Sequence, residues 1–285
     1  MLTEQRKTEL ALLANEIRKE TVKCIASVGI GHLGGSLSIV DLLAVLYFDQ
    51  MKLDPTNPKN PDRDMLVCSK GHAGPAIYSA LAMKGYFDNS LLSTLNQPNT
   101  DLPSHCDMRK TPGIDMTTGS LGQGISAACG IALANQMDGK EDLYTYAIMG
   151  DGESQEGQIW EAAMFAAHRK LSNLIAFVDN NNLQIDGTVD QVCSLGDIAE
   201  KYRSFGWDAV RVNGNDVEAI HNAVENAKTV KDKPSVIVLD TVKGKGIKAI
   251  ENQASNHNMN VGPEQLEAFL KELDEEACQL KGGCA

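Results

Sequence analysis

LYTYAIMGDGESQEGQIWEAAMFAAHRKLSNLIAFVDNNN, residues 143–182, reads as strand, turn, helix, strand, turn. Residues 143–149 and 174–179 are short apolar runs of strand length, and 157–170 between them carries a helical pattern. Each strand runs into a polar turn, Gly150-Asp151-Gly152 and Asp179-Asn180-Asn181-Asn182. Asp151 and Asn181 are therefore one βαβ crossover apart, at the same edge of the sheet and on neighbouring strands. A carboxylate and an amide oxygen are hard ligands suited to magnesium, which completes its shell with ligand phosphates and water. Gly152 lets the backbone come close to a diphosphate, and the helix that follows aims its N-terminus at the anion. Either turn alone is usually an ordinary turn. Both together, behind two apolar strands at one crossover's spacing, outweigh that reading.

Outward from this unit, the alternation continues. Helical patterns fall at 195–205 and 217–230, and apolar strands at 209–212 and 236–241. Upstream, Leu10, Leu13, Ile17, Thr21 and Cys24 mark a helix over 4–28. The glycine-rich break GIGHLGGS follows, and Ser38 to Asp41 resembles a capping box opening a helix that runs to Gln50. A Pro/Asn loop covers 54–64, a strand 65–69, and helical patterns 73–84 and 89–95. Residues 96–118 form one long loop, a length uncommon without a function. A small-residue helix, GQGISAACGIALANQM, comes next. The expectation is α/β: a doubly wound, mostly parallel sheet with helices on both faces, residues 1–285 forming a single domain. Ligands bind such sheets at the carboxyl ends of the strands.

The 285 residues are 42 % hydrophobic and carry a net charge of −12. That field repels nucleic acid and anionic membranes, and neither is expected as a partner. An anionic substrate needs a local cationic pocket, for which Lys70, Lys243 and Lys245 are the candidates. Seven widely spaced cysteines, without a C-x-x-C pair, argue against a disulfide framework or a zinc site and for a reducing compartment. The N-terminus lacks a signal core and no apolar run reaches membrane-spanning length. A cytoplasmic protein is expected.

Five stretches together carry a family resemblance: SVGIGHLGGSLS, SKGHAGPAIYSAL, TTGSLGQGISAACGIA, the metal stretch GDGESQEGQIWEAAMFAAHRKLSNLIAFVDNNNLQIDG, and TVKGKGI with a histidine downstream. In order and spacing they resemble the N-terminal, thiamine diphosphate-binding part of transketolases over nearly the whole chain. The resemblance implies that Asp151, Asn181 and the Leu183 carbonyl hold magnesium. It implies that Gly152, Glu153, Asn181 and His72 bind the cofactor, with Ser38, Lys243 and His257 close by. It places Gly119, Ser120 and Leu121 along the aminopyrimidine and Glu156 at a dimer interface. His32, His105 and His257 would face the substrate, whereas His168 and His221, in helical stretches, read as structural. Histidine supplies proton donors and acceptors near neutral pH, as sugar chemistry requires.

The reaction the resemblance implies is transfer of a two-carbon ketol unit from a ketose to an aldose. The family's single-chain members continue with two more domains that hold the glutamate facing the aminopyrimidine. A second polypeptide, the C-terminal transketolase subunit, is therefore expected, two copies of each chain forming a heterotetramer. The histidine surroundings depart from the family: Gly31-His32-Leu33 replaces S-G-H-P, Ser104-His105-Cys106 replaces G-H-P, and Asn256-His257-Asn258 replaces W-H-G. The donor is therefore expected to be anionic, either a phosphorylated ketose or an unusual one such as a modified or sulfonated sugar. The α subunit of a 2-oxo acid dehydrogenase shares only the metal motif. A single-chain deoxyxylulose phosphate synthase is longer. A non-catalytic subunit does not fit intact Asp151, Asn181 and four loop histidines.

Overall fold

The computed structural model describes residues 1–283. Five strands form its central sheet: β1 (Met65–Cys68), β2 (Thr145–Gly150), β3 (Leu174–Asn180), β4 (Asp208–Asn213) and β5 (Ser235–Asp240). All are parallel, in the order β1-β2-β3-β5-β4. The helices are α1 (Glu4–Ala26), α2 (Val40–Val45), α3 (Gly74–Lys84), α4 (Gln123–Met137), α5 (Gly157–His168), α6 (Ile198–Ser204), α7 (Val217–Thr229) and α8 (Pro263–Leu280), with shorter turns between them.

Strand alternation builds two cores. Tyr146, Ile148, Ile175, Phe177, Ile237 and Leu239 face one layer, whose buried residues come from α1, α2, α3, α7 and α8. Ala147, Met149, Ala176, Val178, Val236 and Val238 face the other, with α4, α5 and α6. The side on which each crossover lies follows from chirality. The chain steps one way across the sheet from β1 through β3 to β4, then back from β4 to β5, so α7 covers the opposite face from α4, α5 and α6. The expected architecture is the one observed.

Local chemistry corrects some boundaries. The Ser38 capping box is not there. Helical backbone begins at Gly34, Ser38 is itself in helical conformation, and its hydroxyl donates to Asp179 at 2.7 Å instead of accepting from an N-terminal amide. The helix expected to run to Gln50 widens to a π-helix over Leu46–Gln50. Asn89–Thr94 is 3₁₀, capped by Asp88. The helix expected at 195–205 starts later, where the Asp197 carboxylate accepts the Glu200 amide. Helix α8 is rich in acidic residues and buries Phe269, Leu273 and Ala277 at fourfold spacing. Cys24, Cys68, Cys106, Cys129 and Cys193 are free thiols, and Cys278 is disulfide-bonded.

The long loop is held at its far end by one ion pair. Asp115 accepts from the Arg63 guanidinium and, at 2.7 Å, from the Leu66 amide at the start of β1; both side chains of the pair are buried. Asp115→Ala should strand a buried guanidinium and cost about 3 kcal/mol. Urea unfolding of the chain measures this as a lower midpoint at unchanged slope.

Candidate active site

The carboxyl ends of β1, β2, β3 and β5 converge on a cavity of about 330 Å3. Lys70 and His72 follow β1, Asp151 and Gly152 follow β2, Asp179 lies next to the end of β3 with Asn181 and Leu183 just beyond it, and Lys243 follows β5. Gly150 pairs with Asp179 across the sheet, so Asp151 and Asn181 emerge side by side.

Asp179 organises this edge. Completely buried, it accepts from Ser38 at 2.7 Å, from the Asn181 amide at 2.9 Å, and from the Lys70 ammonium and the Thr241 hydroxyl. Burial opposes its charge, but Lys70 and the hydroxyls outweigh burial and hold its carboxyl below the usual range. Ser38 is thus turned from the cavity and acts through Asp179. The other carboxylate, Asp151, spends its oxygens only on backbone amides, Gly152 at 2.7 Å and Asn182 at 2.5 Å. Burial, with the Asp179 charge behind it, pushes Asp151 up to about 6.

Glu153 lines the cavity, but its oxygens are taken up internally. They accept from Ser69, from the Gly122 amide at 2.8 Å and from the Gly150 amide at 2.9 Å, a role as tie bar that the sequence did not assign. Glu156 is exposed at the cavity rim, at the position just before α5, and its side chain makes no capping bond to the helix. Leu121 lines the cavity, whereas Gly119 and Ser120 line an adjoining groove, Gly119 lying against His105. Lys245 lies in a separate cleft among glutamates.

The four loop histidines do converge. His32 has its ring centre 5.3 Å from His72, 5.7 Å from His105 and 5.4 Å from His257. His72 and His257 are 5.2 Å apart. Burial lowers all four below the ordinary imidazole value, helped at His72 by Lys70 and at His257, which falls to about 4, by Lys243. At neutral pH the group is uncharged, each ring having one donor and one acceptor nitrogen. His168 is exposed, and His221 pairs with Asp49 on a different part of the molecule, as structural histidines do.

The donor set fits a hard cation and a diphosphate. Asp151 offers a carboxylate, Asn181 an amide oxygen and Leu183 a backbone carbonyl. That carbonyl accepts from the Lys243 ammonium at 2.9 Å, so it already faces a cation. Among the described residues no group of three His, Cys, Asp or Glu side chains is arranged as a metal site, so the candidate donors here are oxygens of mixed origin. The Gln184 side-chain amide is buried at the cavity with its nitrogen unpartnered, a donor for an anion's oxygen that the sequence reading missed. Its signal was the position directly after the metal-binding turn.

Residues 10–277 match the family described as "Transketolase, thiamine diphosphate binding domain". The chain belongs to the transketolase family. It is 54 % identical over 272 residues to the 6-deoxy-6-sulfo-D-fructose transketolase subunit SqwG of Clostridium sp. (strain MSTE9), covering 95 % of this chain and 98 % of that one. One of the subunits of the apulose-4-phosphate transketolase of Phocaeicola vulgatus is 39 % identical, with 95 % and 96 % covered. A Pichia stipitis transketolase variant in complex with xylulose 5-phosphate superposes with a TM-score of 0.88 at 31 % identity, over 94 % of this chain and 41 % of that one. The Campylobacter jejuni transketolase gives 0.86 at 32 %, over 94 % and 42 %. This transketolase-type subunit is a transferase component that binds thiamine diphosphate with a divalent metal ion. Relatives of its own length are named as subunits, which implies a partner subunit.

Replacing Asp151 by Asn separates metal binding from folding. Removing a carboxylate that Asp179 repels should leave the melting temperature of the free chain unchanged or higher. The rise in melting temperature on adding magnesium and thiamine diphosphate should disappear. Differential scanning fluorimetry with and without both ligands reads the two effects.

Proposed function

We propose that this chain is the thiamine diphosphate- and magnesium-binding half of a two-chain cytoplasmic transketolase whose ketose donor is a sulfonated sugar of the 6-deoxy-6-sulfofructose type. The observation that carries the donor class is the 54 % identity, over nearly the full length of both chains, to a subunit named for that substrate. The lower identity to the relative named for apulose 4-phosphate makes a phosphorylated donor the second choice. No helix among the described residues is long and apolar enough to cross a membrane.

In this reading residues 1–285 form one cofactor-binding domain. Asp151, Asn181 and the Leu183 carbonyl hold the magnesium. His72, Lys243 and the backbone at Gly152 meet the diphosphate, with Gln184 as a further donor. Ser38 and Glu153 support them from behind, and Gly119, Ser120 and Leu121 border the aminopyrimidine side. When bound, thiamine diphosphate supplies the carbon nucleophile and the electron sink for cleavage next to a ketose carbonyl. His32, His105 and His257, held neutral, hydrogen-bond the sugar's carbonyl and hydroxyl oxygens and move protons between them. Burial keeps water from these hydrogen bonds and strengthens them.

The cations of the cavity, Lys70 and Lys243, are turned onto Asp179 and the Leu183 carbonyl. The sulfonate end of the donor is therefore read by the partner, the C-terminal transketolase subunit, which also supplies the glutamate for the aminopyrimidine. Two copies of each chain form the heterotetramer. Support for self-association lies on α4 and α5. Helix α4 carries no charged residue, although the chain as a whole is at −12, so this face can meet its own copy without repulsion. A methyl group added at Gly130, in mid-helix, would meet nothing, so no internal contact explains a residue that costs about 0.5–1 kcal/mol there. Met137, Met164 and Phe165 stand exposed on the same two helices, and Glu156 starts the second.

The chain alone should show no ketol transfer, and adding the C-terminal subunit should restore it, with sulfofructose preferred over phosphorylated ketoses. Full activity from this chain alone, or equal turnover of both donor classes, would contradict the assignment. In the assembled enzyme, His105→Ala should lower turnover about a hundredfold and leave thiamine diphosphate affinity, measured by calorimetry, unchanged.

A further inference from the structure

We infer that Asn256 is a positioning residue for ketol transfer: its buried carboxamide fixes Lys243 and His257 against the loop that carries His32. The inference rests on the transketolase reading of the site. Asn256 is 1 % exposed and stands where the family writes tryptophan before the histidine. Its amide donates to the Ile250 carbonyl at 2.8 Å and to the Lys243 carbonyl at 3.2 Å. The two bonds draw residues 243–257 into a closed loop, with the Lys243 ammonium 3.2 Å from the His257 ring nitrogen Nδ1.

The other side of the carboxamide faces the His32 loop. A methyl group placed at Gly34 would fall 1.9 Å from the Asn256 Oδ1 atom, and one at Gly244 would fall 2.6 Å from its Nδ2. The two glycines are themselves joined, the Gly244 amide donating to the Gly34 carbonyl at 3.1 Å. Three segments therefore meet at one planar group: the loop after His32, the loop after β5, and the turn before His257. Oδ1 has no hydrogen-bond partner, although it is buried. An unpaired buried carbonyl is costly, and turn closure alone requires only the nitrogen. Its place against Gly34 instead makes it a spacer between the two histidine loops. A second link lies on the far side, where Ile30–Gly31 pairs antiparallel with Met259–Asn260. Asn256 and this short ladder flank His257, so its ring has one seat relative to His32.

A residue that only stabilises the turn would lower the melting temperature and leave kinetics at 25 °C alone. A positioning residue changes the chemistry, because displacing reacting groups by about 1 Å costs up to about a hundredfold in rate. The test uses Asn256→Ala, Asn256→Asp, which keeps the shape but loses both donated bonds, and Gly34→Ala, whose methyl group pushes on Oδ1. In the full-length chain, the ring proton signals of His257 and His32 should move in all three, and those of His168 and His221 should not. In the enzyme assembled with its partner, kcat/KM for the ketose should fall about ten- to a hundredfold in each. Gly34→Ala should cost less when Asn256 is already Ala, because the clash with Oδ1 has gone. Should one variant fail to fold, the other two carry the same readouts. Unmoved His257 and His32 signals, unchanged kcat and KM, or strictly additive effects of Gly34→Ala and Asn256→Ala would each overturn the inference. If the wild-type assembly transfers no ketol unit, the functional reading fails, while the ring signals still decide whether Asn256 sets the histidine geometry.

Discussion

The architecture of the site depends on the contact between Asp179 and Lys70. A carboxylate and an ammonium, both withdrawn from water, attract strongly only if their remaining hydrogen-bonding capacity is met. Here Ser38, Thr241 and Asn181 complete the carboxylate, and the Gly35 carbonyl takes a further proton of the lysine at 2.7 Å. Those partners come from separate stretches of chain, so one anion sets the relative positions of the histidine loop, the loops after β1 and β5, and the metal-binding turn. Such a pair adds little net stability. Its effect is geometric, and it divides labour between two carboxylates: Asp179 is satisfied by protein donors, and Asp151 keeps oxygens for a cation.

The sequence made the framework legible because local rules determine it. Apolar runs of strand length, a helix between them and polar turns at their ends locate Asp151 and Asn181 without knowledge of any distant residue. The expected convergence of four histidines also followed, since each sits in a loop at the same sheet edge. What was not legible depends on contacts across the chain. Ser38 has the sequence of a helix cap, but its hydroxyl is drawn to Asp179, 141 positions away. Glu153 looks like a cofactor residue, yet three donors from its own chain occupy it. Asn256 is a single polar residue in a loop, and only the glycines packed on it disclose its place.

The histidines illustrate a further limit. Their number and setting suggested groups poised to gain and lose a proton near neutrality. Burial above all, with two neighbouring lysines and the other rings adding to it, instead lowers their proton affinity. The site thus offers a sugar a set of oriented dipoles rather than a cluster of positive charge, and Lys243, which burial lowers to about 8, is its closest approach to a titratable cation. This arrangement suits a substrate whose reacting end is uncharged and whose anionic end lies elsewhere.

The pairing of Ile30–Gly31 with Met259–Asn260 also has a meaning for synthesis of the chain. A ribosome releases the first strand of this ladder well before the second, with all five strands of the central sheet emerging between them. The sheet can assemble from neighbouring segments as they emerge, but the catalytic edge closes across almost the entire length of the polypeptide, the slowest kind of contact to form. A nascent chain that has passed β5 but not yet Met259–Asn260 therefore holds every strand of the central sheet without the ladder that seats His257.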